Sequence, residues 1–393
     1  MLVPFLPNTS MSGGQTRWYN IIKYMSKSHR ITLFSLIKDE SERKFIPELN
    51  KYCEKVEVFK RPRSPWTVRN LLLTAFSPYP LLVIRNWSPR VRSAIKKELS
   101  NSTYDLIHAE TFYVMPHIPR TNIPNILVEQ TIEYQVYKHY VDNEVAPFFR
   151  PIFMIDVLKL MFWEKYFWKK TTRAVAVSPE DKKIMEKLVP GLKVDVIPNG
   201  VDSDYYAKKF PKKTPPRVLY GVSNFEWLQN QEAVEILVKK VWPLIVKDYP
   251  FVKLWIVGRK MPKWIIELGR KRDDMEVSEN ISDPREAYGG STVMVTPIKG
   301  SGGTRLKILE AMAAGLPIVS TSVGVAGLGV QKGKHVLIND TFAGLARETI
   351  RILKDKTLAR RIGENGRQFA RKNYDWREIV KLHDKIYEEI LKK

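Results

Sequence analysis

The residues best placed to do chemistry lie in the run TPIKGSGGTRLKILEAMAAGLPIVST, from Thr296 to Thr321. Gly302, Gly303, Thr304 and Arg305 stand where a helix should begin, and Lys307 and Glu310 follow within its first turns. A helix N-terminus offers unpaired backbone N–H groups and a positive dipole end, which suits a diphosphate, with Arg305 or Lys307 adding charge. Glu310, further along, suits the paired hydroxyls of a ribose. The plainer alternative is a solvated Lys307 and Glu310 pair at i, i+3 on an ordinary α/β helix. Elsewhere, Gly13 and Gly14 form a loop that lets a backbone approach a ligand. Glu129 and Glu133, in LVEQTIEY, could act as a base, bind sugar hydroxyls or simply cap a helix, and His108 is a histidine candidate.

These residues need particular elements to hold them. Val293 to Val295 end an apolar strand, Lys299 to Gly303 supply backbone freedom, and Leu306, Ile308, Leu309, Met312 and Ala313 form the core face of a helix. Gly315 and Pro317 stop that helix, and Ile318 to Ser320 start the next strand, so the run is a βαβ unit. At the other end of the chain Leu2–Phe5 is a short strand, followed by a glycine loop and a helix with Trp18, Ile21, Ile22 and Met25 on its buried face. Gly13 and Gly14 thereby fall at a strand's carboxyl end, where open α/β sheets bind ligands. Arg17, in the first turn, either supports a phosphate or is exposed. Further strands at Arg30–Ser35, Val56–Phe59, Leu106–Ala109 and Ile126–Glu129 alternate with helices and predict a parallel sheet. Ser178 before Pro179 predicts a capped helix. The Pro- and Lys-rich stretch Lys208–Arg217 reads as a linker.

The Thr296–Thr321 run resembles the donor-nucleotide signature of the retaining family-4 glycosyltransferases, especially the subgroup with G-x-G-x-R-x-K-x-x-E-A-M-A-x-G-x-P-[IV]-V-S-T. IPNGVD, from Ile197 to Asp202, is similar to a second motif of that family. The resemblance covers nearly the whole chain. It implies an α/β GT-B fold, two Rossmann-like domains facing across a cleft. Residues 1–200 would bind the acceptor, joined by a C-terminal helix from about 376 to 393, and residues 201–375 would bind the nucleotide-sugar. It implies transfer of a sugar from a nucleotide-sugar to an acceptor hydroxyl with retention, as a hexosyltransferase would, needing no metal or other cofactor. Arg305 and Lys307 would stabilise the leaving diphosphate, and Glu310 would hold the ribose. Gly302 stands where the family places the first of two glutamates, and Gln130 stands where many relatives have a histidine. Ser223, Asn224, Gln229 and Asn230 replace an Arg and a Lys of many relatives. Gly13, Gly14, Asn224, Gly302, Gly303 and Thr304 would line the donor, with Asn280 and Ile281 holding the base through backbone groups. Glu129 and Gln130 would approach the reacting sugar. The alternatives are a GT-B epimerase or phosphorylase, and a non-catalytic sugar-nucleotide or membrane-binding protein.

Composition bounds the partners. The chain has 393 residues, 44% apolar and 27% charged, enough for two cores. Its formal net charge of +23, from 65 basic and 42 acidic residues, favours a polyanion. Nine basic residues and no acidic one lie between Val58 and Lys97, interleaved with Trp66, Phe76, Tyr79 and Trp87. That mixture suits an anionic membrane surface, and no nucleic-acid-binding motif accompanies it. PFFRPIFMIDVLKLMFWEKYFWKK, from Pro147 to Lys170, is either an interfacial helix or a core helix at a domain's edge. A lipid-linked or surface-polysaccharide acceptor at the inner membrane face fits this reading. The lone Cys53 predicts a reducing compartment, and the absence of a signal-like start or a spanning segment predicts a cytoplasmic, at most peripheral, protein.

Overall fold

The computed structural model describes residues 1–9, 13–299 and 306–392. It separates into two compact units, Met1–Pro198 with Val380–Lys393, and Asn199–Ile379. Each is a parallel sheet flanked by helices, and the fold is GT-B.

In the first unit seven strands are involved: β1 (Leu2–Val3), β2 (Thr32–Ile37), β3 (Lys55–Lys60), β4 (Ile107–Glu110), β5 (Asn125–Glu129), β6 (Arg173–Ala176) and β7 (Val194–Val196). Their order is β3-β2-β1-β4-β5-β6-β7, with every pairing parallel. β2, β4 and β6 are buried at every position, the polar Thr32, Ser35, His108, Glu110 and Arg173 included, as strands covered on both faces are. The strand order reverses between β1 and β4. The helix Gly13–Met25 follows β1 and buries Trp18, Ile21, Ile22 and Met25. Ser178 caps the helix Pro179–Leu188, its hydroxyl accepting from the Asp181 amide at 3.0 Å.

The second unit contains β8 (Arg217–Asn224), β9 (Lys253–Arg259), β10 (Met275–Glu279), β11 (Val293–Thr296), β12 (Ile318–Ser320) and β13 (Leu337–Ile338), in the order β10-β9-β8-β11-β12-β13. The order here reverses between β8 and β11. Loops leaving the carboxyl ends of strands on either side of such a switch diverge, and the crevice they leave is where doubly wound sheets bind ligands. The helix Leu306–Ala313 packs Ile308, Leu309, Ala311, Met312 and Ala313 into the core. It ends in a Schellman turn: Gly315 has φ +72°, its N–H reaches Met312 O at 2.8 Å, and the Leu316 N–H reaches Ala311 O at 2.9 Å. IPNGVD also has a packing reason. A Cβ on Gly200 would lie 2.6 Å from the Trp376 ring, and the Val201 N–H bonds Tyr374 O at 2.7 Å.

Candidate functional site

In the second unit, Lys307 and Glu310 emerge on the helix that follows β11, on its side toward β8. Lys307 is buried, not a solvated surface cation. Its Nζ donates to Tyr220 Oη at 3.0 Å, Ser223 Oγ at 3.0 Å and Asn230 Oδ1 at 2.7 Å, and sits 4.4 Å from the Tyr220 ring centroid. Ser223 and Asn230 therefore have a role of their own here. They help fix a lysine at the carboxyl end of β8. Asn230 is itself tied down, its Nδ2 donating to Asn224 O at 2.8 Å. The Asn224 side chain is engaged locally, donating to Glu226 Oε2 at 3.1 Å and accepting the Glu226 amide.

Glu310 has tyrosine partners that the sequence did not reveal. Tyr288 Oη donates to its Oε2 at 2.6 Å, and Tyr206 also bonds the carboxylate. Burial raises the Glu310 pKa above the ordinary carboxylate value, while Tyr288, Tyr206 and the nearby Lys307 charge pull the other way. A carboxylate offers about four lone-pair sites, so two tyrosines orient it and leave room for further hydroxyls. Asn280 follows β10 with φ 58°, a left-handed conformation that asparagine tolerates. Its N–H bonds Gly258 O at 2.8 Å, so that donor is already taken. Gly302, Gly303, Thr304 and Arg305 lie outside the described residues.

The first unit assembles a separate set. The expected glycine loop is, at Gly13 and Gly14, the first turn of the helix Gly13–Met25. A Cβ on Gly14 would lie 2.8 Å from Gln130 Oε1, so this turn touches the residue after β5. Gln130 Nε2 donates to Glu110 Oε2 at 3.2 Å. Glu110 Oε1 lies 3.0 Å from His108 Nε2, and His108 Nδ1 lies 2.5 Å from Tyr387 Oη. Burial lowers the His108 pKa, against the hydrogen bond and charge of Glu110. Burial opposes the Glu110 carboxylate, but hydrogen bonding and charge from His108, with the charge of Arg17, outweigh it. His108 is thus an interior link, not an exposed histidine.

Two expectations change here. Arg17 is not exposed: its buried guanidinium donates to Pro198 O at 2.8 Å and Ile197 O at 3.0 Å. Glu129 is turned into the core, 1% exposed, with Oε1 accepting the Trp168 indole N–H at 3.0 Å. Burial and then the Glu164 charge push its pKa well above the ordinary carboxylate value. β5 is covered on both faces, and the side chain at its last residue points inward. The neighbouring carboxyl, Glu133, is half-buried, and burial raises its pKa to about 7 although Arg85 draws it down. The helix Glu133–Glu144 is capped by a distant residue, Glu164, which accepts the Glu133 and Tyr134 amides at 2.7 and 3.1 Å.

The Pro147–Lys170 stretch has one buried and one exposed side. The helix Arg150–Lys170 buries Val157, Leu160 and Trp168 on one side. On the other it exposes Ile152, Ile155, Leu158 and Phe162, continued by Phe148 at 84% exposure. The helix Val68–Phe76 lies against it, with Trp66 on Phe153 and Lys159 Nζ on Thr74 O and Ser77 O, and carries Phe76 at 87% exposure. Among the described residues no helix is long and apolar enough to cross a membrane.

Sequence comparisons agree with this geometry. Residues 11–205 match the family described as Glycosyltransferase Family 4, and residues 216–355 match Glycosyl transferases group 1. Both halves of the chain thus match glycosyltransferase families, and the protein is a glycosyltransferase. A 44.6 kDa protein of the cps region of Klebsiella pneumoniae is 22% identical over 366 residues, covering 90% of each chain. This glycosyltransferase is also 27% identical over 225 residues to the GDP-mannose:cellobiosyl-diphosphopolyprenol alpha-mannosyltransferase of Xanthomonas campestris, covering 53% of this chain and 56% of that one. Sucrose-phosphate synthase from Thermosynechococcus elongatus has the same fold, with TM-score 0.72 at 17% identity over 99% of this chain and 98% of the other.

Proposed function

We propose that the enzyme transfers a sugar from a nucleotide-sugar to a hydroxyl of a lipid-linked or polysaccharide acceptor, with retention at the anomeric carbon. The second unit takes the donor and the first takes the acceptor. The observation that carries this reading is the pairing of Lys307 and Glu310 at the switch point of the second sheet, each fixed by neutral partners. Glu310 accepts the ribose hydroxyls. As the bond from the anomeric carbon to the diphosphate breaks, negative charge grows on the leaving oxygen, and the Lys307 ammonium, with Arg305 and the helix N–H groups, stabilises it. The acceptor oxygen forms the new bond to the anomeric carbon and passes its proton to the departing diphosphate oxygen. No metal is needed for this neutralisation. The Xanthomonas relative, named for a GDP-mannose donor and a diphosphopolyprenol acceptor, supports both substrate classes.

The exposed apolar side of residues 148–166 and 66–76, beside basic Arg63, Arg69 and Arg90, supports peripheral attachment to an anionic bilayer. The inner face of the cell membrane suits such an attachment. The deciding experiment is thermal stability across a panel of nucleotides and nucleotide-sugars, for wild type and Glu310→Ala. A ligand specific to the folded state stabilises by roughly 2.7 kcal/mol at a hundredfold excess over Kd. One nucleotide class should raise Tm in the wild type and fail to do so in Glu310→Ala. A panel that leaves Tm unchanged overturns the donor site. The anomeric configuration of the product, read by NMR, tests retention.

A further inference from the structure

Arg61 is a buried cation that the reaction above does not use. It follows β3, with its backbone N–H on Ile37 O at 2.9 Å, and only 3% of it is exposed. Its Nε, Nη1 and Nη2 are all buried and have no hydrogen-bond partner among the described residues. The Phe5 ring, just past β1, lies 4.6 Å from its guanidinium carbon. Arg85, on the helix Leu81–Asn86, is close enough to repel it, and the Arg85 Nε is likewise buried without a partner. Tyr113 also faces this pair, and Tyr137 shares a hydrogen bond with Arg85. The carboxylate nearest in effect, Glu42, has its Oε1 engaged by the Lys38 and Asp39 amides at 2.8 and 3.0 Å. Burial and Arg85 lower the Arg61 pKa to about 10, which still leaves it charged at neutral pH.

A guanidinium presents five donors and cannot shed its charge, so burying it without acceptors is costly unless an anion completes the site. The position is the carboxyl edge of β1 and β3, beside the switch point, where a parallel sheet binds ligands. Thr111, at the end of β4, has φ 73°, an unfavourable conformation for a β-branched residue and one that clusters at functional sites. Two adjacent guanidiniums suit a phosphate better than a neutral hydroxyl, because a phosphate supplies both the charge and the bidentate oxygens they need.

We propose that Arg61, with Arg85 beside it, binds a phosphate group of the acceptor. This rests on the reading of the first unit as the acceptor domain. The transferred sugar would then be accepted by a phosphorylated molecule, a phosphomonoester or diphosphate. Its carrier is either a lipid or a water-soluble glycosyl phosphate. The segment between the two arginines bears the exposed Leu72 and Phe76, which suits the lipid.

The test uses the full chain, with sodium pyrophosphate as the probe, sodium chloride at matched ionic strength as control, and a saturating level of the stabilising nucleotide to occupy the second unit. Pyrophosphate should raise the wild-type Tm. Arg61→Met should lose that response while melting higher than wild type in chloride, an opposite sign from the loss of a structural contact. Arg85→Gln, at a half-buried position, serves as the second variant and should weaken pyrophosphate binding about tenfold. A wild type that does not respond, or a response kept in both variants, overturns the proposal. Cosedimentation with phosphatidylcholine vesicles, with or without a few per cent of polyprenyl phosphate, separates the sources. Arg61-dependent enrichment on the polyprenyl phosphate vesicles assigns a lipid-linked acceptor, and a response to soluble pyrophosphate alone assigns a soluble one. If the nucleotide panel fails while the Arg61-dependent response persists, the donor reading falls and this site stands. The reverse pattern removes this site alone.

Discussion

Two buried cations, one in each unit, have opposite surroundings. Lys307 is collared by Tyr220, Ser223 and Asn230, three neutral oxygens that fix its position before any ligand arrives. Arg61 rests on an aromatic face, with no oxygen on its nitrogens among the described residues. Preorganised charge is what a developing transition-state anion requires, since it costs no rearrangement when the bond breaks. A cation with unfilled donors instead marks a group that binds an anion in the ground state and holds it through the reaction. On the proposed readings the two charges would do different work, one at the transition state and one in the ground state. Substitution at each should separate turnover from affinity.

Lys307→Met should have the largest effect. Removing one donor to a developing oxyanion costs about a hundredfold to a thousandfold in kcat, and Tyr220, Ser223 and Asn230 also lose their common donor, for about 1–3 kcal/mol of stability. Steady-state kinetics with the nucleotide-sugar chosen by the thermal panel reads the first effect, and denaturant unfolding reads the second. A kcat within a few-fold of wild type would reduce Lys307 to a core cation and erase the contrast with Arg61.

Next in size is a pH effect in the first unit. Glu133, beside Arg85, has its pKa raised by burial from 4.5 to about 7, so the folded chain keeps a proton that the unfolded chain releases. The unfolded state binds fewer protons in that window, and stability falls as pH rises from about 4.5 through about 7, by on the order of 2 kcal/mol. Glu133→Gln should flatten that part of the stability profile. An unchanged slope would mean that Glu133 ionises as it would in water, and that Arg85 faces an ordinary carboxylate.

Arg61→Met sharpens the comparison from the other side. Replacing an uncompensated buried charge by an apolar chain of similar length should raise stability by about 1 kcal/mol in chloride, where Lys307→Met lowers it. Chemical denaturation of the two variants side by side measures both signs. Equal losses would place the two cations in the same structural class.

Much of this was legible beforehand, for a physical reason. Parallel strands buried on both faces are short apolar runs closed by turn residues. β4 and β5 begin within one residue of the expected positions, while the first strand proved only two residues long. The motif residues Lys307 and Glu310 were legible because helix spacing puts them near one turn. Their partners were not. Tyr288 and Tyr206 lie 22 and 104 residues from Glu310, and the periodicity of their own helices gives no sign of the contact. Asn230 was visible as a departure from relatives, but its function as a lysine ligand is a tertiary fact. Arg61 was one of nine basic residues in an apparently uniform stretch, and only burial separates it from exposed Arg63 and Arg69. Glu129 and Arg17 failed as surface candidates for the same reason: sequence places a residue at a strand end or first helical turn, not the direction of its side chain.

Gly14→Ala should have the smallest effect and tests whether the first unit's polar chain reaches the glycine turn. The new methyl would meet the Gln130 carboxamide oxygen at 2.8 Å, and that oxygen is the end of a flexible side chain, so it gives way at a cost under about 1 kcal/mol. Moving it disturbs the 3.2 Å bond from Gln130 Nε2 to Glu110, and with it the link through His108 to Tyr387. If that chain sets the position of the turn, Gly14→Ala should raise KM for the acceptor a few-fold with little change in Tm. Gly14→Ala combined with Gln130→Ala should then restore the fit but not the link. A double variant with wild-type KM would show that only the clash mattered, and that Gln130 fills space beside the glycine without positioning the turn.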